Sequence, residues 1–285
     1  MASLKICRLI ETPYLNPFLN MAIDEALLLY RFKNPDSLPV FRIYSWRPSA
    51  FSLGYFQEPT AILNLSLVEK ERVNWVRRIT GGGVIFHNEE ITYSIILYDE
   101  ELPLKTNVKE SYKILVSFLM EFYRRLNLKP YFAKDFYKNF ISLGKFCAFC
   151  FSGLEEHDIV IEGKKIGGNA QRRKRHLILQ HGSIPLNIKF EEFSKYIIVP
   201  IQRDRIGYLF EFIDSQSINT LKELLKECLE DSLKMKLISS SLNKEEQDLT
   251  EYLFISKYST KEWNYFRKFT AEFINFKNNE KCFSI

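Results

Sequence analysis

Long hydrophobic runs are missing from this chain. No segment approaches the ~18 consecutive apolar residues of a spanning helix, so a helical integral membrane protein is excluded. The first residues, "MASLKICRLIETPYLNPF", lack a basic stretch followed by an apolar run and a small-residue cleavage site, so no secretory leader is expected. Cysteine is scarce and odd in number, five in 285 residues, without the spacing of a disulfide framework. The reducing cytoplasm is therefore the expected compartment, and some of the thiols are free for chemistry. There is no internal repeat and no low-complexity linker. No GK[ST] follows the one long glycine run, which removes a Walker loop. A strand and not a helix follows it, which removes a dinucleotide fingerprint.

Charge of one sign is also lacking. The formal net charge is +5, mildly basic and compatible with an acidic partner of almost any kind. The densest basic run, "QRRKRH" at 171–176, sits between two strand-like stretches and is expected to be a solvated loop. It is too short and too poor in aromatics for a nucleic-acid site.

Apolar residues make up 46% and charged residues 26%, an ordinary globular composition, and 24 Phe with 15 Tyr suit a sheet-rich core. "NPFLNMAIDEALLLYRF" reads as a helix capped by Asn16 with Pro17 in its first turn. Strands are expected over 40–46 and 50–55, joined by a tight turn at Arg47-Pro48, and again at 92–98. "NVKESYKILVSFLMEFYRRLNL" is the clearest helix, with Asn107 as its cap and Glu110 three residues on. "DIVIEGKKIGGNAQ" is a hairpin turning at Glu162-Gly163, and "LILQHGSIPL" is a further strand. Beyond about 188 the pattern turns helical, over 216–236 and 243–256, before "KYSTKEWNYF". These elements predict an α+β fold, a mixed and largely antiparallel sheet flanked by helices. Residues 1–285 are expected to form a single catalytic domain, with 188–285 as its mainly helical C-terminal part.

Three stretches stand apart. Gly81, Gly82 and Gly83 follow Arg77 and Arg78 and precede His87. A second glycine pair, Gly167-Gly168, breaks another strand two residues after Lys165. Adjacent glycines in two strands suit two backbones closing on one slender ligand, and Val84, Ile85, Phe86 and Ile166 would line a tunnel for an alkyl chain. The third stretch, "FCAFCFSG", holds Cys147 and Cys150. That CxxC lacks the two further ligands of a zinc site and is a weak version of a redox dithiol. It also admits a nucleophile activated by a nearby positive charge; the residues alone do not choose among the three. Lys165, in a pocket, would polarise a carbonyl and lower a thiol pKa. His87 and His181, at strand positions, are weaker candidates.

"NMAIDEALL", "YSWRPSAFSLGYFQ", "RRITGGGVIFH", "GKKIGGNAQ", "LILQHGSI" and "KYSTKEWN" occur in an order that resembles the lipoate–protein ligase and octanoyltransferase superfamily, over roughly 20–265. The resemblance implies a biotin/lipoyl-ligase fold in which glycine-bearing strands hold the acyl chain. Arg77, Gly81, Gly82, Gly83, His87, Gly168, Asn169 and His181 would then bind substrate, and Lys165 would meet the acyl carbonyl.

The superfamily holds two main chemistries. In its cysteine-dependent octanoyltransferases a Cys-Phe pair lies eight residues before the acid that opens a "-VVEG-" strand, and here Cys150-Phe151 precede Asp158 of "DIVIEG" by that spacing. The loop between departs from the pattern, with Leu154-Glu155-Glu156-His157 where Pro-Ser-x-Tyr is expected. A chain of 285 residues, short of the C-terminal accessory domain of many ligases, points the same way. The resemblance thus implies octanoyl transfer from acyl carrier protein, through Cys150, to a lysine of a lipoyl-domain acceptor such as glycine cleavage H protein, with no cofactor. The alternative it implies is a ligase that uses ATP and Mg to activate lipoate, with Cys150 incidental.

Overall fold

Apolar runs rich in β-branched and aromatic residues form thirteen strands in the computed structural model, which describes residues 4–104, 108–138 and 154–270. Asn107, Cys147, Cys150 and Phe151 lie outside the described residues. In chain order the strands are β1 Lys5–Leu15, β2 Val40–Trp46, β3 Ala50–Leu53, β4 Asn74–Arg77, β5 Ile85–His87, β6 Glu90–Tyr98 and β7 Tyr131–Phe132. There follow β8 Ile159–Ile161, β9 Lys164–Ile166, β10 Gly168–Lys174, β11 Leu177–Pro185, β12 Ile206–Gly207 and β13 Met235–Ser240.

The main sheet has the order β10-β11-β6-β2-β1-β13. Its β10-β11-β6-β2 half is antiparallel and its β2-β1-β13 half parallel. A four-stranded sheet, β12-β9-β8-β7, and a three-stranded one, β4-β3-β5, complete the architecture. The α+β class with mixed sheets and flanking helices is therefore the one observed.

Both faces of the main sheet are covered, and the pleat decides what each face carries. Phe41 and Ile43 of β2, Tyr93 and Ile95 of β6 and Ile178 of β11 join the helices Val108–Arg125 and Ile218–Leu233 in one core. The alternating set, Val40, Tyr44, Ile96, Leu177 and Leu179, packs on the helices Pro17–Lys33 and Lys244–Leu253 in another. Helix Pro17–Lys33 starts where its sequence says it should, with the Asn16 side chain accepting from Leu19 N at 2.9 Å.

Three elements differ from the sequence reading. The basic run is mostly strand: Gln171–Lys174 pair with Leu177–Gln180, and only Arg175-His176 turn. Its arginines are tolerated there because their heads find partners while their stems cover the sheet. Arg172 donates to the carbonyl of Ile79 at 2.8 Å, and Arg173 donates to Ser111. The helix expected over 216–236 ends at Leu233, where Lys234 takes a left-handed φ of 55°. Met235–Ser240 then runs parallel to β1, whose edge would otherwise present unpaired backbone groups. The helix expected over 243–256 stops at Leu253 and continues as a π turn over Phe254–Tyr258.

Candidate active site

Where β4 leaves its sheet, two adjacent arginines part company. Arg77 is fully buried and gives its guanidinium to backbone carbonyls of Gly54, Tyr55, Gln57 and Asn264, at 3.3, 2.8, 2.7 and 3.0 Å. Burial first, and the nearby Arg267 charge second, push its pKa down to about 10. Its donors hold the protein together and are turned away from the cleft described below. Arg78 reaches that cleft. Its guanidinium donates to the carbonyls of Gly81 and Gly83, both at 2.8 Å, and to the carbonyl and hydroxyl of Ser52 at 2.8 and 3.1 Å. One cation thereby ties the glycine loop to β3. Gly82 takes φ 90°, a conformation that side chains disfavour.

The pleat of the main sheet sets the opposite wall. Tyr44 of β2, Thr92 of β6, and His181 and Ser183 of β11 project to one face, towards helix Pro17–Lys33. That helix carries Asp24 inward among Met21, Ala22, Leu27 and Leu28, all buried. Asp24 accepts from Arg42 at 2.7 Å, from Tyr44 at 2.9 Å and from Ser94 at 2.9 Å. His181 sits 3.3 Å from Asp24 through Nδ1 and 2.6 Å from Thr80 Oγ1 through Nε2. Burial lowers the His181 pKa despite Asp24, which favours the neutral ring. Burial alone would raise Asp24, but Arg42 and the hydrogen bond from His181 outweigh it and hold the carboxyl low.

His87 stands on the last residue of β5. Its Nε2 is 2.7 Å from Ser52 Oγ and its Nδ1 is 2.6 Å from Glu90 Oε1, and its ring stacks on Trp46 at 3.8 Å. Ser52, Arg78, His87, Gly168, Asn169 and His181 all line one narrow cleft of about 350 Å³, its open mouth included. Asn169 is fixed by Tyr93, whose hydroxyl donates to Oδ1 at 2.6 Å. Among the described residues no group of three or more His, Cys, Asp or Glu is placed to hold a metal.

The expected site residues thus fall into groups. His87, Gly168, Asn169 and His181 meet in the cleft. Gly81, Gly82 and Gly83 form the loop that Arg78 holds beside it. Arg77 faces elsewhere. Lys165 is buried on β9, in the four-stranded sheet, with Nζ 2.7 Å from Asp158. Gly167 links it to β10 with φ 77°, where a side chain would strike the Ser183 carbonyl. Cys150 lies outside the described residues. Sequence reading missed Ser52 and Arg78 as cleft residues, and Asp24, Arg42 and Glu90 as the partners behind its walls. Asp24 carried a signal: an acid at helical spacing inside the apolar "NMAIDEALL" must find a buried partner.

The cleft thus has a glycine loop beside it and Gly168 and Gly182 in its wall. Residues 16–230 match the lipoyl protein ligase A/B catalytic domain, and the chain belongs to that family. It is 34% identical over 278 residues to octanoyltransferase LipM of Bacillus subtilis (strain 168), covering 91% of this chain and 98% of that one. It is likewise 34% identical to octanoyltransferase LipM of Halalkalibacterium halodurans, over 92% of this chain and 99% of that one. The crystal structure of lipoate-protein ligase A bound with ATP shares the fold, with a TM-score of 0.75 at 24% identity over 92% and 98% of the two chains.

Proposed function

We propose that this protein is an octanoyltransferase that takes octanoyl from acyl carrier protein onto Cys150 and passes it to a lysine of a lipoyl-domain acceptor. The observation that carries the reading is the likeness, along nearly the whole chain, to proteins named octanoyltransferase LipM. The spacing of Cys150 from Asp158 supports it. In this reading the alkyl chain lies in the cleft against Gly168 and the loop of Gly81, Gly82 and Gly83, with Asn169, His87 and His181 around the carbonyl end. Lys165, held by Asp158, supplies the positive charge that lowers the Cys150 pKa and meets the developing oxyanion. Arg77 contributes by fixing the turn of Gly54, Tyr55 and Gln57 and not by touching substrate.

The thioester bond of the donor already holds the activation that a ligase must draw from ATP, so the reaction as proposed needs no cofactor. Glycine cleavage H protein is the acceptor we propose, and the cytoplasm the compartment. No described helix is long and apolar enough to cross a membrane.

The test is intact-protein mass spectrometry after mixing with octanoyl-acyl carrier protein and no ATP. A hydroxylamine-labile octanoyl adduct is expected in wild type and absent in Cys150→Ala. No adduct in wild type, with acceptor modification only when free lipoate and ATP are supplied, would replace this reading with that of a ligase.

A further inference from the structure

The reaction as proposed above assigns no proton transfer to one cluster beside the cleft. Ser52 Oγ, His87 and Glu90 stand in line at 2.7 and 2.6 Å, and all three are buried, at 1%, 3% and 4% exposure. Ser52 donates to His87 Nε2 and accepts from Arg78 at 3.1 Å. The His87 Nδ1–H donates to Glu90. Hydroxyl, imidazole and carboxylate in this order take a proton from a reacting group and hold the resulting imidazolium.

The ring cannot swing to carry the proton itself. It lies flat on Trp46, with 8° between the planes, and Trp46 is pinned by a 2.8 Å hydrogen bond to Thr92. Glu90 is pinned as well, accepting from Ser183 at 2.6 Å and from Thr92. A purely structural network would look similar up to this point. The cavities set this one apart. Ser52 and His87 line the acyl cleft, whereas Glu90 lines a second pocket of about 380 Å³, together with Asn88, Glu89, Asn187 and Lys189. The line of hydrogen bonds therefore has its hydroxyl and imidazole in the cleft wall and its carboxylate behind them.

We infer that Ser52, His87 and Glu90 form a proton relay that takes the proton from the acceptor amine as it attacks the acyl thioester. The inference rests on the thioester reading above. The amine nitrogen forms the C–N bond, the C–S bond breaks and sulfur leaves as thiolate. The surplus N–H proton passes to Ser52 Oγ as the seryl proton passes to His87 Nε2. The imidazolium keeps its Nδ1–H on Glu90 and gives its Nε2 proton back through Ser52 Oγ to the leaving thiolate, so that Cys150 ends as the thiol. Other charges face the ring. Arg78, beside Ser52, opposes the imidazolium and favours release of the seryl proton. His181 and Tyr44 face the same cleft, with Asp24 and Arg42 in contact behind them. Glu90 is the carboxylate in contact with the ring and offsets Arg78.

The two half-reactions separate this inference from its premise. Loading is read as adduct formed from octanoyl-acyl carrier protein; transfer is read as single-turnover discharge to the acceptor lysine. In Ser52→Ala and Glu90→Gln the ratio of transfer to loading is expected to fall about 100-fold, the lower end of what a positioned base supplies. Discharge by a small thiolate nucleophile, which carries no N–H proton to remove, should match wild type. Equal loss of discharge to lysine and to the thiolate would make the cluster structural and overturn the relay. An unchanged ratio in both variants would overturn it too, with the thioester intact. Absence of any adduct in wild type would remove the premise and the relay together.

Discussion

The carbonyl of Gly82 occupies the space that a side chain on Gly54 would need, so two glycines distant in sequence touch backbone to backbone. This contact, with Arg78 behind it, sets where the glycine loop stands relative to β3.

Alanine at Gly54 must push that loop aside. The expected cost is about 1–3 kcal/mol, the usual size of overpacking, with acyl transfer lost as the loop moves. Alanine at Gly81 meets no described atom within 4 Å, so its stability should stay within about 0.5 kcal/mol of wild type. Under the proposed function its Cβ would meet the alkyl chain, and KM for octanoyl donor should rise while Tm holds. Thermal melts and a KM series on the two variants check the pair. Equal loss of stability in both would refute the contact map.

Asp24 and Arg42 are a buried pair with side chains 2% and 0% exposed, 2.7 Å apart. Removing one partner strands the other charge, at about 3–5 kcal/mol. Arg42→Met should therefore lower stability by that amount in urea titration, well beyond a surface substitution.

The His181 pKa is lowered on folding, so the unfolded chain binds this proton more readily than the native one. Stability from this residue is complete above the ordinary value of 6.5 and falls as pH drops through and below it. Wild type should lose stability progressively on acidification from 6.5, and His181→Gln should show a flatter profile over the same range. Chemical denaturation between neutral pH and pH 5 measures both slopes.

Cys7 and Cys228 are buried, and burial pushes their thiols up to about 12 and about 11. Neither should react with iodoacetamide in the native protein at neutral pH. Mapping labelled peptides by mass spectrometry is expected to find alkylation at Cys150, with Cys7 and Cys228 modified only after denaturation.

Much of this protein could be read from its residues because the controlling forces are local. Asn16 caps a helix wherever it precedes one, and Glu162-Gly163 turns a hairpin through left-handed backbone that glycine supplies cheaply. The ordered motifs also pointed to the family. The basic run misled because charge density was read as solvent exposure. Arg172 and Arg173 instead spend their charges on the Ile79 carbonyl and Ser111, partners from other elements that no local pattern reveals.

The same limit separates Arg77 from Arg78. As neighbours of one type, they look interchangeable in a string of letters. Successive side chains at a strand end point to opposite sides, and the fold places backbone carbonyls on one side and the cleft on the other. Ser52, His87 and Glu90 met for a similar reason. His87 and Glu90 lie three residues apart across a tight turn, but Ser52 comes from another strand, through the β3–β5 pairing that sets Ser52 opposite Ile85. Element types, helix caps, turns and the chemistry on offer follow from short-range preferences written in the chain. Which side chains share a wall, which charge is spent on structure and which faces the cleft follow from strand pairing and burial, where residues far apart in sequence must satisfy one another.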